Sequence, residues 1–292
     1  MKALKRFARR AIGWFLFRSG IHRRLLGDRH TIVLFHRVDD RLEGDPLSFT
    51  SGEFRAFCDF FGRYFDVISI PELVRRLEAG DPIGGTLSIT FDDGYRDNRT
   101  IAAPILAERG LPATFYITAG FIGTDHLAPW DAEAGVRSEW MTWSQVRELR
   151  EMGFDLGAHT VNHVDLGKVH GAEARSEILE SRRRLEVETK APIRTFSYPF
   201  GGSEHFTEEN RELVRSLGFD ACLSAYGGAV RPDDDPHRLL RVAPWYRSPS
   251  ELGFQIAVRN DVPESRAEGE SPSRPRRARR RLRLPLMGDR VQ

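Results

Sequence analysis

Cysteine is scarce. Cys58 and Cys222 are the only two in 292 residues. They lie far apart and beside no His or Cys pair, which excludes a disulfide framework and zinc-finger spacing. Both read as small buried apolar side chains. Long hydrophobic runs are also absent. The longest near the start, Ala11 to Phe17, is short and includes Gly13, against the ~20 residues needed to span a bilayer. It is short for a signal-peptide core too, and no small-residue cleavage site follows. No internal repeat is visible, so a solenoid is excluded. A cytoplasmic or peripheral-membrane location is the expectation from this pattern.

Charge is nearly balanced overall, with 44 Lys+Arg against 42 Asp+Glu, but it is segregated along the chain. Residues 1–30 and 272–292 are rich in Lys and Arg, with Asp28 and Asp289 as their only acids. The body between is therefore net acidic, which argues against a nucleic-acid partner. Within the first segment Leu4, Phe7, Ala8, Ala11 and Phe15 recur at helical spacing, while Lys2, Lys5, Arg6, Arg9 and Arg10 fall largely on the other side. That pattern fits a basic amphipathic helix on an anionic membrane surface, or a helix packed on the fold with a solvated charged face.

From about residue 30 the chain alternates short β-rich runs with helical segments. Apolar strands are expected near 30–38, 86–91, 114–118, 154–158, 194–198, 219–224 and 239–242. Thr50-x-x-Glu53 and Thr142-x-x-Gln145 are capping boxes that open helices. Pro71 begins another helix, and Gly80 ends it. Alternation of this kind predicts parallel βαβ units, and about seven strands in a chain of this length suggest a barrel. The expected division is a basic amphipathic helix at 1–28, a catalytic domain at 29–262 and an Arg-rich tail at 263–292. The tail has too few apolar residues to order itself.

Two strings carry chemistry. Thr90-Phe91-Asp92-Asp93-Gly94 and His159-Thr160-Val161-Asn162-His163 each follow a predicted strand. Parallel α/β folds gather their sites at those carboxyl ends. Two His and one Asp leave a divalent cation with an open position, the donor set of a catalytic site rather than a sealed one. The i, i+4 spacing of the histidines would put both on one side of a helical turn. The second Asp is then free to handle protons. Tyr198-Pro199-Phe200-Gly201 follows a third strand. Its proline stiffens the backbone, so the Tyr198 amide is expected to face the site as an oxyanion donor. His36 is read as a hydrogen-bonded structural histidine on the same rim. Trp130 and Asp131 fall in a loop long enough to line a sugar groove.

From about Ile32 to Val242 the chain resembles the polysaccharide deacetylase family, metal-dependent esterases acting on chitin, chitooligosaccharides, peptidoglycan and biofilm exopolysaccharides. TFDDG at 90–94 and HTVNH at 159–163 carry the resemblance. It implies an α/β fold, a distorted (β/α)7 barrel. It implies that Asp93, His159 and His163 hold a divalent metal, usually zinc (Zn2+). Asp92 would be the catalytic base, and Tyr198 would contribute its amide. The implied activity is removal of N-acetyl groups from acetamido sugars of a polysaccharide or oligosaccharide. The alternatives are an O-acetyl glycan esterase and a degenerate, glycan-binding member. Two positions depart from the family pattern. Ser197 stands where many members have an arginine that holds the catalytic Asp. Leu239-Leu240-Arg241 stands where many have Leu-Leu-His, so the general acid has no assignment.

Overall fold

The computed structural model describes residues 2–258, apart from Tyr226 and Tyr246. The tail expected at 263–292 lies outside the described residues. Before the barrel come α1 (Lys2–Arg18) and α2 (His22–Leu26). Strand β1 (Thr31–Phe35) is buried along its whole length, as a strand covered on both faces must be. Short strands β2 (Arg37–Val38) and β3 (Ser48–Phe49) pair with each other above it. Helix α3 (Ser51–Tyr64) then starts at the Thr50–Glu53 capping box, with both reciprocal hydrogen bonds in place. The two-residue β4 (Asp66–Val67) and α4 (Ile70–Ala79) follow, with Gly80 closing α4 at φ 71.

The remaining units repeat one theme. They are β5 (Thr86–Phe91), a π-helical turn Asn98–Ala102 running into α5 (Ala103–Glu108), β6 (Thr114–Ile117), α6 (Pro129–Ala134), α7 (Trp143–Glu151), β7 (Asp155–Ala158) and α8 (Gly171–Thr189). After these come β8 (Thr195–Ser197), α9 (Glu208–Ser216), β9 (Ala221–Ser224), β10 (Leu239–Leu240) and α10 (Pro249–Val258). The main sheet runs β1-β5-β6-β7-β8-β9-β10, all parallel. Just past β10, Val242 pairs with β1. Its N–H donates to Ile32 O at 2.8 Å, and its carbonyl accepts from Leu34 N at 3.0 Å. Those two bonds bring the last strand back to the first, giving the expected seven-stranded barrel. The distortion lies at β4, which pairs with the beginning of β5 while β6 pairs only with its end. Phenylalanines pack the layer between α3 and the barrel. Phe91 stacks between Phe35 at 5.5 Å and Phe115 at 5.0 Å, which ties β1, β5 and β6 into one core.

Helix α1 docks with the opposite polarity to a helix that buries its apolar stripe. Leu4, Phe7, Ala11, Trp14 and Phe15 are exposed, whereas Gly13, Leu16 and Phe17 are buried. A Cβ on Gly13 would lie 1.9 Å from the Ser250 carbonyl oxygen, so only glycine allows this approach to α10. Phe17 stacks on His22 at 4.1 Å and reaches Phe60 of α3. Arg6 and Arg10 both donate to the carboxylate of Glu251, whose side chain is fully buried. Part of the basic face thus holds the helix to the body, and the apolar stripe points away. No described helix is long and apolar enough to cross a membrane.

Candidate metal and acid–base site

The two predicted strings meet at the carboxyl end of the barrel. Asp92 and Asp93 leave β5 at successive positions, and Gly94, at φ 93, takes the turn that follows. Asp92 N–H donates back to Phe35 O, and Asp93 O accepts from Thr118 N. The exit is therefore tied to both neighbouring strands. His159 and His163 leave β7 on a loop, not on the helical turn that their spacing suggested. Thr160 at φ 61 and His163 at φ 53 take left-handed backbone, which a helix does not tolerate. The carboxylate of Glu177 on α8 holds this loop by accepting from Val161 N and Asn162 N, each at 2.9 Å, and from the Asn162 amide. Among the described non-glycine residues with positive φ, Asp93, Thr160, His163 and Phe200 all lie here. Strained backbone of this kind persists where surrounding structure over-determines it, commonly at functional sites.

Asp93, His159 and His163 are buried and offer ligand atoms within 4.8 Å of one another. The Nε2 atoms of His159 and His163 lie 3.4 and 3.3 Å from Asp93 Oδ1. His159 Nδ1 is 2.8 Å from Ser197 O, to which it can only donate. In the neutral ring that leaves Nε2 as a lone pair aimed at a carboxylate oxygen. That lone pair, the His163 ring beside it and a carboxylate, converging in a buried space, fit a cation between them. His163 Nδ1 is buried without a partner among the described residues. Burial favours the neutral form of His163 and lowers its pKa.

Asp92 is held in a way that sequence reasoning missed. Arg241, just past β10, is fully buried and grips it with both arms, Nη1 to Oδ1 at 2.7 Å and Nη2 to Oδ2 at 2.6 Å. Its remaining contacts go to Ser197 Oγ at 2.7 Å, Ser224 O at 3.2 Å and Thr90 Oγ1 at 3.3 Å. Burial alone would raise the pKa of Asp92. The guanidinium outweighs it and keeps the carboxyl below its ordinary value. The arginine expected at Ser197 is thus supplied from the Leu-Leu-Arg string. The one available signal was that both departures from the family pattern occurred together.

The Tyr198 expectation is corrected. Its N–H donates to Leu223 O at 3.0 Å inside the β8–β9 pairing, and its ring is buried with its hydroxyl 3.3 Å from Cys222 Sγ. Neither group is available to a ligand. Asp131 also serves the framework rather than a groove, accepting from buried Arg37 at 2.6 Å. The indole of Trp130 does line the site, 4.5 Å from the His163 ring. His36 lines it too, and burial lowers its pKa.

Above these groups lies a cavity of about 350 Å3, whose lining includes Asp92, Asp93, His159, His163, Trp245 and His205. A second hollow of about 620 Å3 adjoins it and shares Trp130, His163 and Phe200. Phe200 and Trp245 are largely exposed, at 51% and 61%, so aromatic faces border the opening. His205 was not singled out in the sequence. Its Nδ1 is 3.0 Å from Asp165 Oδ2. Asp165 is fixed in turn by Gly167 N at 2.9 Å and Lys168 at 2.9 Å.

Residues 79–222 match the family model described as polysaccharide deacetylase. YxkH of Bacillus subtilis (strain 168), a polysaccharide deacetylase by its name, is 27% identical over 154 residues, 53% of this chain and 50% of that protein. The chain therefore spans about half the length of that relative. A chitooligosaccharide deacetylase of Bradyrhizobium sp. (strain ANU 289) is 24% identical over 182 residues, 56% of this chain and 74% of the other. Among solved structures, IcaB from Ammonifex degensii superposes with a TM-score of 0.66 at 22% identity, covering 78% of this chain and 98% of that one. Streptococcus pyogenes deacetylase PplD, solved with acetate, gives 0.65 at 20%, covering 77% and 96%. These two likenesses speak for the barrel. The match over 79–222, together with the similarity to YxkH, leads to one conclusion: the chain carries a polysaccharide deacetylase domain.

Proposed function

We propose that this chain hydrolyses N-acetyl groups on the acetamido sugars of a polysaccharide or oligosaccharide, with Asp93, His159 and His163 holding a divalent metal, zinc in the first place. The observation that carries the reading is the pairing of that buried donor set with a separate carboxylate, Asp92, fixed by Arg241 beneath an aromatic-bordered cavity. A bound divalent ion would supply Lewis acidity, lowering the pKa of water from ~15.7 towards 7. Asp92 takes the proton of the attacking water. Its two fork hydrogen bonds hold the carboxylate ionised and aimed while leaving it lone pairs for that proton. The role first given to the Tyr198 amide passes to Phe200. Phe200 has φ 62, lines the cavity, and its N–H has no hydrogen bond to another described residue.

His205 is the general acid in this reading. Asp165 binds its Nδ1 and so orients the ring, the arrangement that lets an imidazole pass a proton through Nε2. An amine leaves only when protonated, so this acid supports N- over O-deacetylation. His205→Gln should lower acetate release from an N-acetylated oligosaccharide by at least ~10². It should barely change the hydrolysis of an aryl acetate, whose phenolate leaves unaided. Equal losses on both substrates would remove His205 from this role.

The function itself is tested by acetate release. Purified protein is incubated with N-acetylated glucosamine oligomers and with O-acetylated xylan, before and after chelation and zinc restoration, with metal content measured by elemental analysis. The expected result is release from the N-acetylated substrate, lost on chelation and regained with zinc. Release from xylan alone would select the esterase reading. Glycan binding without release would select the degenerate reading. Full metal occupancy in His159→Ala or His163→Ala would overturn the ligand assignment.

A further inference from the structure

The outward apolar stripe of α1 has no use in the acetyl chemistry, and nothing in the described fold covers it. Leu4, Phe7, Trp14 and Phe15 are 73%, 70%, 60% and 55% exposed. With exposed Ala11 they follow one another in steps of three and four (4, 7, 11, then 14 and 15) and so share one face of a single helix. The helix is not loosely attached, because Gly13, Phe17 and the Arg6–Glu251 and Arg10–Glu251 pairs seat it on α10. A rigid element that turns four large apolar side chains to solvent marks an interaction surface.

Charge identifies the partner. Exposed Lys5 and Arg18 lie on the same helix, and exposed Arg23 and Arg24 on α2. An apolar stripe bordered by cations fits an anionic lipid surface, where the apolar side chains enter the headgroup boundary and the cations meet phosphate. A second copy of this chain fits less well, since it would bring those cations against their own equivalents. The body beyond the helix is net acidic in sequence and would be repelled by such a surface, so contact falls to the helix. We propose that the outer face of α1 docks the protein peripherally on an anionic lipid bilayer. Trp245 lines the cavity and α10 begins at Pro249, so the docked helix joins the barrel near the mouth of the site.

The test is flotation of the full chain with phosphatidylglycerol–phosphatidylcholine vesicles and with phosphatidylcholine vesicles, at low and high salt. The comparison protein is the double variant Phe7→Ser/Trp14→Ser. Both positions are exposed and outside the site, so folding and acetate release should be unchanged. The variant keeps the Arg-rich C-terminal segment, so any loss reports the helix. Expected is binding to the anionic vesicles at low salt, weakened by about tenfold or more by salt, by neutral lipid and by the double substitution. The proposal is overturned if the full chain ignores anionic vesicles at low salt, or if the variant binds them equally well. It is also overturned if light scattering shows a dimer that the variant converts to monomer without any vesicle binding, since the face is then a self-association surface.

Discussion

Asp92→Asn should leave the metal in place and lower acetate release by ~10²–10⁴, the usual contribution of a positioned general base. The amide keeps one oxygen for the Arg241 fork but has no basic lone pair for water's proton. It also turns an N–H2 towards a guanidinium that can only donate, where Asp92 accepted at both oxygens. Some stability will be lost with the activity. Rates are therefore to be compared on protein whose melting transition and metal content have been measured. Near-normal acetate release from metal-loaded Asp92→Asn would give the base to another group.

Arg241→Met should be the most destabilising single change at the site, by about 3–5 kcal/mol, because it strands a buried carboxylate. Arg241 is fully buried, and five hydrogen bonds leave its guanidinium towards Asp92, Ser197, Ser224 and Thr90. Arg241→Lys keeps the charge but not the planar fork, so it should recover part of the stability. The informative measurement is the double variant Asp92→Asn/Arg241→Met. A buried pair replaced together costs less than either partner removed alone, so the two stability losses should fall short of additive by about 0.5–3 kcal/mol. Activity should stay as low as in Asp92→Asn. Additive losses in urea denaturation would mean that Arg241 is held by the surrounding barrel and not by Asp92.

The candidate metal donors were legible because each lies within a few residues of the strand that presents it. Asp92 and Asp93 follow six buried residues of β5, and His159 directly follows β7. Capping boxes at Thr50 and Thr142 were legible for the same reason, since donor and acceptor are three residues apart. The histidine loop was harder. Spacing of i, i+4 suits a helix equally well, and it is tertiary bonds that hold the loop in left-handed backbone: Val161, Asn162 and Asn162's amide donate to Glu177, and Thr160 O and Val161 O accept from Ala119 N and Gly120 N.

Local order along the chain was thus enough for the strand–helix alternation and for placing an Asp pair and two histidines at strand ends, because those depend on neighbours in sequence, whereas the closed barrel and the choice of Asp93 over Asp92 as ligand came from the family resemblance carried by TFDDG and HTVNH. The tertiary structure alone decided the rest. Arg241 reaches Asp92 across 149 residues because the registers Ser197↔Leu223 and Leu240↔Ser224 bring the ends of β8, β9 and β10 to one level. The same pairing draws the Tyr198 amide into the sheet, and no local feature of YPFG could have said so. His205 meets Asp165 only because the segment after β8 crosses the loop after β7. For α1, periodicity showed that the helix has two faces. Which face turns inward was decided by what α10 offers: a buried carboxylate for two arginines and a backbone oxygen close enough that only glycine fits.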